Sequence, residues 1–497
     1  MEVTLIEKLN NNYKKNPSKV FLIHKNVSMT YAEVYKCTNG IANSLESLGI
    51  RKHDRVGLIM NRIPELVLSF LGISKIGALP VPINVLNKVE EVKRFILMNS
   101  LSLLIIQDKL LPILDEEILL TIKNIIVIGK ECSPFTPWNR VCYPKEPIND
   151  SRISKEDIAY LNYTSGSSGI PKGAITTHSN IFWNTIAANE KMRITSEDIH
   201  LCMFASFAHP HEIFARALFT MGTLVLLEEV NPKTIAKTIK KNSVTTMMGL
   251  APMYEMMSTH CKGSDLESLR IAESGGMYTQ DNIINEFKKQ FGIPVLAVWG
   301  STETTGIAIA NSPEEKVRYG SIGRPCKHYE VTIVDDSGRE VPANSIGELI
   351  FKGPAVVSGY IDSPEENTKS FKEDWYYSGD LAKKDNEGYF YFVGRKNEMI
   401  KTGGLKVYLQ EVENILITHP SINDVAVIGL RDKLRGEVVK AIIVLNDGTR
   451  MSPGEVIKYC QERIPRYKVP RIIEFRDILP KTGGGKIDKK ELKREAK

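Results

Sequence analysis

The sequence predicts an α/β protein with a large N-terminal domain and a small C-terminal domain. Between residues 30 and 299, short apolar runs alternate with amphipathic helical stretches, which is typical of parallel strands joined by helices. Short β runs with turn residues then predict a β-rich subdomain at about residues 320–395. From Gly394 onward a strand–helix–strand order returns. We therefore predict an N-terminal domain over 1–395 and an α+β cap over 396–497.

Capping and periodicity justify the individual elements. Thr30 stands three residues before Glu33, a capping-box pattern that starts a helix over 30–49. A tight turn is predicted at Asp336-Ser337-Gly338. Further helices are predicted at 63–76, 280–290, 453–463 and from Lys489. Strands are predicted at 55–60, 78–83, 101–108, 223–227, 244–250, 269–273, 294–299, 330–341 and 347–353.

Composition and charge exclude several classes of protein. The 497 residues include 65 Lys and Arg against 59 Asp and Glu, a net charge of +6, so nucleic-acid binding is not the default expectation. The charge-free stretch 217–227 is too short to span a bilayer. The N-terminal MEVTLIEKLNNNYKK lacks a secretory pattern, so we expect a cytoplasmic protein. The 7 cysteines form no CxxC pair and are expected to be reduced and mostly structural.

The segment YLNYTSGSSGIPKGA (160–174) carries the clearest chemistry, because an apolar strand leads directly into a loop of small and hydroxyl residues. Glycines allow a phosphate to approach the backbone, hydroxyls donate hydrogen bonds and a lysine adds positive charge. Pro171 and Gly173 break the Walker spacing. A flexible surface loop is the alternative. The candidate phosphate-binding residues are Thr164, Ser165, Gly166, Ser167, Ser168, Gly169 and Lys172.

TSGSSGIPKGA resembles the phosphate-loop signature of the adenylate-forming superfamily, and further motifs of that superfamily follow in order. They are WGSTETTG (299–306), YSGD (377–380), GRKNEMIKTGGLKVYLQEVE (394–413) and PKTGGGKIDKKEL (480–492). The similarity extends from about residue 20 to the end of the chain, and five ordered matches make it specific. The chain is thereby identified as a member of the acyl-CoA synthetase branch, whose small C-terminal domain is mobile.

The resemblance implies an ATP site. Trp299 stands where Tyr is usual and offers a face for adenine stacking. Thr302 is implied to contact a phosphate oxygen, and Glu303 to hold Mg²⁺; the alternative for Glu303 is a solvated surface acid. The remaining implied adenine-side residues are Ser274, Gly275, Gly276, Met277, Gly300 and Ser301, where the first four could equally form a tight βα turn.

The C-terminal motifs imply further roles. Asp380 and Arg395 are implied to bind the ribose, with a structural ion pair as the alternative. Lys486 is implied to be the catalytic lysine, bridging the acid's carboxylate and the α-phosphate. Asn397 occupies the hinge position, where Asp or Lys is common in the family. Rotation of the small domain is implied to exchange the Lys486 loop for a CoA-side loop at Gly403 and Gly404.

The implied reaction joins a carboxylic acid to CoA through an acyl-adenylate, with release of pyrophosphate and AMP. On the acid side, FASFAHPHEIFARAL (204–218) contains His209, a candidate catalytic residue, and His211, but no Asp that would pair with an amino acid. Glu212 is expected at a helix start. A fatty acid is the expected substrate. The alternatives are an enzyme that loads an acyl carrier protein and, more distantly, an inactive nucleotide-binding protein.

Overall fold

The computed structural model describes residues 1–86, 89–145, 153–164, 172–316, 318–432, 435–481 and 487–496. The helices are α1 (Leu5–Lys15), α2 (Tyr31–Ser47), α3 (Pro64–Lys75), α4 (Val89–Met98), α5 (Glu116–Thr121), α6 (His178–Met192), α7 (Pro210–Thr220), α8 (Pro232–Asn242), α9 (Ala251–His260), α10 (Asp281–Phe291), α11 (Pro364–Ser370), α12 (Leu409–Leu416), α13 (Pro453–Gln461) and α14 (Lys489–Glu495).

The strands are β1 (Val20–His24), β2 (Val27–Thr30), β3 (Arg55–Ile59), β4 (Leu79–Pro82), β5 (Leu103–Gln107), β6 (Ile125–Ile128), β7 (Thr136–Pro137), β8 (Ile158–Thr164), β9 (Lys172–Thr177), β10 (Ile199–Cys202), β11 (Thr223–Leu226), β12 (Thr246–Gly249), β13 (Ile271–Ser274), β14 (Val295–Ser301), β15 (Gly306–Ala310), β16 (Arg324–Pro325), β17 (Glu330–Val334), β18 (Gly347–Lys352), β19 (Phe371–Lys372), β20 (Trp375–Lys384), β21 (Phe390–Arg395), β22 (Ile400–Thr402), β23 (Leu405–Val407), β24 (Ile422–Asp432), β25 (Gly436–Leu445) and β26 (Ile472–Phe475).

The chain forms two compact units. Unit 1 comprises Met1–Glu330 and Phe351–Tyr376, and unit 2 comprises Val331–Ile350 and Tyr377–Lys497. The polypeptide passes from one unit to the other within strands β17, β18 and β20. Part of the β-rich region thus belongs to the same unit as the C-terminal residues.

A nine-stranded sheet dominates unit 1, in the order β16-β15-β14-β13-β12-β10-β11-β1-β2. The strands from β14 to β1 in this order run parallel to their neighbours, and antiparallel strands flank them. The chain places β11 on one side of β10 and then returns to the other side for β12. The gap between β10 and β12 is therefore a topological switch point, the place where open α/β sheets bind ligands at the carboxyl ends of their strands.

A second, five-stranded sheet in unit 1 has the order β4-β3-β5-β6-β7 and is parallel throughout. Strands β8 and β9 form a separate antiparallel hairpin, with Thr164 paired to Lys172. The buried apolar side chains of both α/β sheets form the cores between sheets and helices. Helix and strand alternate as the sequence predicts.

Unit 2 has two β structures. Residues of β17, β18, β20 and β21 form the first, in which Asp380 is paired with Arg395 across antiparallel strands. The second has the order β23-β22-β25-β24, with β26 beside β25. Helices α12 and α13 cover one of its buried clusters, and Leu492 of α14 belongs to another. The mixed α/β fold class predicted from the sequence is confirmed.

Local predictions from the sequence are also confirmed. Thr30 and Glu33 form the capping box at the start of α2. Gly338 adopts a positive φ of 82° and donates its N–H to the Asp335 carbonyl in the predicted turn. Glu212 lies in the first turn of α7. The cysteines of the described residues are free, and most are buried. No helix within the described ranges is long and apolar enough to cross a membrane.

Candidate active site

The predicted adenine-side and acid-side motifs of unit 1 follow the carboxyl ends of neighbouring parallel strands. Phe204 comes shortly after β10 and Leu250 directly after β12, on the two sides of the switch point. Gly275 and Gly276 follow β13, and the WGSTETTG motif begins within β14. Residues far apart in sequence are thus brought to one edge of the sheet. This is the edge at which doubly wound folds bind nucleotides and small substrates.

Close packing shapes the adenine-side segment Ser274–Met277. The Gly275 N–H donates to the Gly249 carbonyl at 3.2 Å, and a Cβ on Gly275 would lie 2.8 Å from Val298 Cγ2. Ser274 is buried, and its hydroxyl accepts a hydrogen bond from Thr279 at 2.7 Å. Gly276 has a φ of 75° and is exposed, while Met277 is partly buried. The glycines therefore bring bare backbone to the edge of the sheet.

The segment 299–306 is a compact turn at the end of β14. Trp299 is 9% exposed and stacks on Phe351 with ring centroids 4.3 Å apart, so one face of its ring is already covered. The Ser301 N–H donates to the Thr304 hydroxyl at 3.0 Å, and the Thr302 carbonyl accepts from Thr305 N–H at 3.0 Å. Gly300 is exposed, and Ser301 and Thr302 are partly exposed. These three residues present polar groups at the sheet edge.

The Glu303 carboxylate lies below this turn and is 7% exposed. Its Oε1 accepts a hydrogen bond from the Tyr360 hydroxyl at 2.6 Å, and burial together with this carboxylate raises the Tyr360 pKa. No Lys, Arg or His of the described residues forms an ion pair with Glu303. A buried carboxylate without a protein cation fits a metal ligand, since Mg²⁺ on ATP commonly takes only one or two protein carboxylates.

The phosphate-loop prediction is only partly within the described residues. Thr164 and Lys172 lie opposite each other at the end of the β8–β9 hairpin. Lys172 is 9% exposed, pairs with Glu366 and has its Nζ 5.2 Å from the centre of the Tyr360 ring. Its charge is therefore balanced by a protein carboxylate. Ser165, Gly166, Ser167, Ser168 and Gly169 lie outside the described residues.

Histidines occupy the start of α7 on the acid side. His209 is the N-cap residue, and its ring centroid is 6.5 Å from that of Phe204 and 6.4 Å from that of His211. His211 is fully buried, and its Nδ1 is 2.8 Å from the Tyr160 hydroxyl. Burial lowers the His211 pKa to about 4. His211 is thus a neutral structural residue, and the partly exposed His209 is the one at the surface of the site.

A buried ionic cluster lies behind these segments. Arg216 donates from Nε to Glu212 at 3.0 Å and from one Nη to Glu273 at 2.6 Å, and all three side chains are at most 3% exposed. Burial favours the neutral acid, but the charge of Arg216 and its hydrogen bond outweigh burial and lower the Glu212 pKa. Burial raises the Glu273 pKa despite Arg216. We name Glu212, Arg216 and Glu273 the buried triad.

Sequence reasoning missed Arg216, Glu273, Tyr360 and Glu366. The spacing of Glu212 and Arg216 on a predicted helix is an available signal, because residues four apart share a helix face. Glu273 is a charged residue inside a predicted apolar strand, which is another signal. Tyr360 and Glu366 lie in a segment without a motif, and nothing local indicates their partners.

The predicted ribose-binding residues belong to unit 2. Arg395 contacts the Asp380 carboxylate at 2.7 Å, with Asp380 2% exposed and Arg395 half exposed. The Asp380 N–H also donates to the Ser378 hydroxyl at 3.1 Å. The structural ion pair considered from the sequence is therefore present.

The other unit 2 predictions fall on turns. Asn397 is the middle residue of a short 3₁₀ turn, Lys396–Glu398. Gly403 and Gly404 form the two-residue turn between β22 and β23, with φ of 56° and 84°. Two consecutive positive φ angles are typical of a type I′ hairpin turn and favour glycine. Lys486 lies outside the described residues.

The sequence matches two family descriptions that agree with this geometry. Residues 9–361 match the AMP-binding enzyme family, and residues 411–486 match the AMP-binding enzyme C-terminal domain. The chain belongs to the AMP-binding enzyme family. Because the first match covers more than half of the chain, the ordered motifs are those of this family rather than a local coincidence.

Named relatives place this family member among the CoA ligases. A crotonobetaine/carnitine–CoA ligase of Salmonella typhimurium is 33% identical over 486 residues, covering 93% of each chain. A feruloyl-CoA synthase of Amycolatopsis is 29% identical, covering 97% of this chain and 96% of its own. The structure of an anthranilate CoA ligase with anthranoyl-AMP superposes with a TM-score of 0.91 at 28% identity, covering 100% and 98% of the two chains. The protein is an AMP-forming acid–thiol ligase of the acyl-CoA synthetase branch, and it uses ATP and CoA.

Proposed function

We propose that this ligase activates a carboxylic acid that is apolar and carries no charge other than its carboxylate, with fatty acids as the first candidates. The observation that carries the proposal is the apolar character of the switch point between β10 and β12. Met203 and Phe204 lie on the β10 side, and a Cβ on Gly249 would lie 3.0 Å from Met203 Cε and 3.2 Å from Met253 Sδ. Methionines and an aromatic ring suit an aliphatic chain.

The charges around the switch point support the same proposal. Within residues 203–212, 249–253 and 273–277, the carboxylates are Glu212 and Glu273. Both pair with Arg216 and are almost fully buried. A cationic acid would therefore meet no exposed carboxylate in these segments. We expect this specificity to differ from that named for the crotonobetaine/carnitine–CoA ligases.

The reaction we propose proceeds in two displacement steps. A carboxylate oxygen of the acid attacks the α-phosphorus of ATP, and the bond to pyrophosphate breaks. The CoA thiol then loses its proton and attacks the acyl carbon, and AMP leaves with the electrons of the acyl–oxygen bond. Neither step needs a protein nucleophile, so the protein contributes by positioning and by stabilising charge.

We assign residue roles in the proposal as follows. The Thr164–Lys172 loop binds phosphates, Ser274–Met277 and Trp299 contact adenine, and Asp380 with Arg395 binds ribose. Thr302 contacts a phosphate oxygen, His209 faces the acid, and Glu303 would hold Mg²⁺, which when bound neutralises phosphate charge. Lys486 stabilises charge that develops at the α-phosphate. Asn397 is the hinge, and the Gly403–Gly404 turn lies on the CoA side.

Isosteric acids test the substrate proposal. We expect 5,5-dimethylhexanoate and octanoate to support ATP–pyrophosphate exchange. We expect 4-(trimethylammonio)butanoate, which replaces one carbon by a charged nitrogen, to have a kcat/KM lower by about 100-fold, because burying an unpaired charge is costly. Equal or better use of the cationic acid would refute an uncharged pocket.

Aromatic acids are the second candidate substrates, because two of the relatives are named for ferulate and anthranilate. Including both acids in the exchange assay separates the aliphatic and aromatic proposals. The same assay with CoA tests the acceptor. Robust exchange without a CoA thioester would instead support the enzyme that loads an acyl carrier protein.

Lys486→Ala tests the domain-rotation proposal. We expect loss of adenylate formation, while CoA thioester formation from supplied acyl-adenylate is largely retained, because the lysine acts only in the first step. Equal loss of both steps would contradict the exchange of the Lys486 loop for the Gly403–Gly404 turn.

A further inference from the structure

The buried triad connects segments that are remote in sequence and adjacent in the site. Glu212 lies three residues after His209, at the start of α7. Glu273 is the residue before Ser274, at the carboxyl end of β13. Arg216 donates to both carboxylates from different nitrogens, at 3.0 Å and 2.6 Å. One guanidinium group thus connects the acid-side helix to the strand that carries the adenine-side loop.

The triad also contacts the WGSTETTG motif. A Cβ on Gly306 would lie 2.3 Å from Glu212 Oε1 and 2.8 Å from Asn184 Oδ1. The Asn184 amide in turn donates to the Ile307 carbonyl at 3.1 Å and to the Tyr329 hydroxyl at 2.9 Å. Glu212 Oε1 therefore packs directly on the backbone three residues after Glu303. A shift of Glu212 would move the turn that carries this carboxylate.

Stability alone does not account for a charged cluster at this position. Replacing a buried ionic triad by well-packed neutral residues is often neutral or stabilising in proteins, whereas removing one member is costly. An arginine fork fixes both the distance and the direction between two carboxylates. The triad is suited to holding three segments in one register.

We propose that Arg216 is a positioning residue for adenylate formation, which it serves by holding the acid-side helix, the adenine-side loop and the Glu303 turn in register through Glu212 and Glu273. The proposal rests on the proposed function for the roles of these segments. Arg216 is fully buried and acts only through the two carboxylates.

A neutral triad tests this proposal. Glu212→Gln, Arg216→Met and Glu273→Gln are combined, so that no buried charge is left unpaired. The control combines Asp198→Asn and Arg270→Met. Arg270 Nε donates to Asp198 Oδ1 at 2.8 Å. Arg270 immediately precedes β13 and Asp198 immediately precedes β10. Both residues therefore lie at the amino ends of these strands, opposite the carboxyl ends that lead to the predicted site. The pair therefore resembles the triad in its charged groups but differs in position and in exposure, since Arg270 is 40% exposed.

The measurements are thermal unfolding, the affinity for MgATP without acid, and the kcat and KM of ATP–pyrophosphate exchange. We expect the neutral triad to unfold within about 4 °C of wild type, with kcat lower and the dissociation constant for ATP higher, each by about tenfold. The control should leave both constants within about twofold after correction for folded protein. Unchanged constants in the neutral triad, or equal losses in the control, would overturn the proposal.

A second variant keeps the test decisive if the neutral triad does not fold. Arg216→Lys retains the buried positive charge but cannot form a fork to two carboxylates. We expect a folded protein with the same weakening of ATP affinity and kcat, and wild-type values would contradict a positioning role. ATP affinity requires no acid, so it decides this inference even if no tested acid supports exchange, a result that would count against the proposed function alone.

Discussion

The charged groups near the predicted functional residues are held in different ways in the two units. In unit 1 the buried triad is at most 3% exposed, and Glu303 is 7% exposed. In unit 2 Arg395 is half exposed beside Asp380, and Lys396 is 44% exposed between Asp336 and Glu348. The Gly403–Gly404 turn has open space around both α-carbons.

This difference has an energetic consequence. Removing a partner from a buried ion pair leaves an uncompensated charge, while solvent-exposed pairs contribute little and exchange partners readily. Unit 1 is therefore built to keep one arrangement of its motif segments. Unit 2 carries its predicted functional residues on an ion pair with one exposed partner and on turns.

Lowering the pH should cause the largest difference in stability between the two units. Burial lowers the pKa of His178 to about 4, of His200 to about 3 and of His211 to about 4, all in unit 1. Because the unfolded chain takes up protons near pH 6.5 and the folded chain only near pH 4, stability falls as pH decreases through this range. Each histidine costs up to about 3 kcal/mol. Unit 2 contains one histidine, His419.

Two probes separate the units in this experiment. All 4 tryptophans lie in unit 1, so their fluorescence reports on its unfolding. Amide hydrogen exchange of residues 422–445 reports on unit 2. We expect unit 1 to lose its native fluorescence between pH 6.5 and 4, at a higher pH than these amides lose protection. Coincident transitions would remove the contrast.

Gly306→Ala should be a strongly disruptive small substitution in unit 1. The φ of Gly306 is 146°, and the added Cβ would lie 2.3 Å from the buried Glu212 Oε1. We expect a loss of about 3 kcal/mol in unfolding free energy by urea titration, because neither atom has room to move.

Gly263→Ala is the control for Gly306→Ala. Gly263 has nothing within 4 Å of the position of an added Cβ, so its replacement should change the free energy by less than about 0.5 kcal/mol. Similar losses for both variants would show that the site is not as tightly packed as the structure indicates.

Much of this architecture follows from local sequence. The parts that do not follow from it share one cause. The capping box of Thr30 and Glu33, the strand–helix alternation and the glycine turn at 403–404 depend on residues close in sequence. The Arg216–Glu273 and Tyr360–Glu303 contacts join residues 57 positions apart. They depend on the order of strands in the sheet, which periodicity does not specify.

The same limit applies to the candidate site. Sequence motifs indicate Glu303, Asp380 and Lys172, but not the Glu366 carboxylate that pairs with Lys172 across 194 positions. Isolated residue types cannot distinguish a ligand from a paired side chain, as Asp380 and Arg395 illustrate. The ionic pairing that decides between these interpretations requires the fold.

Glu212→Gln and Glu273→Gln test whether the two carboxylates of the triad are equivalent. The Glu212 pKa is lowered and that of Glu273 is raised, so ionisation is favoured more at Glu212, whose charge balances Arg216 more strongly. Loss of that charge should cost about 2 kcal/mol of unfolding free energy, whereas Glu273→Gln should cost less than about 1 kcal/mol. Equal costs in parallel urea titrations would mean that the charge is shared.

Gly404→Ala should have a small effect on stability and should separate strain from function in unit 2. Gly404 and Gly388 have φ of 84° and 81°, and nothing lies within 4 Å of an added Cβ at either position. Each alanine should therefore cost only about 1 kcal/mol of backbone strain. If the Gly403–Gly404 turn is the CoA-side loop, Gly404→Ala should slow thioester formation by about tenfold and leave ATP–pyrophosphate exchange unchanged, while Gly388→Ala changes neither. The two variants share the same strain. If thioester formation is slow in both, the effect belongs to unit 2 as a whole. If it is slow in neither, the Gly403–Gly404 turn does not lie on the CoA side.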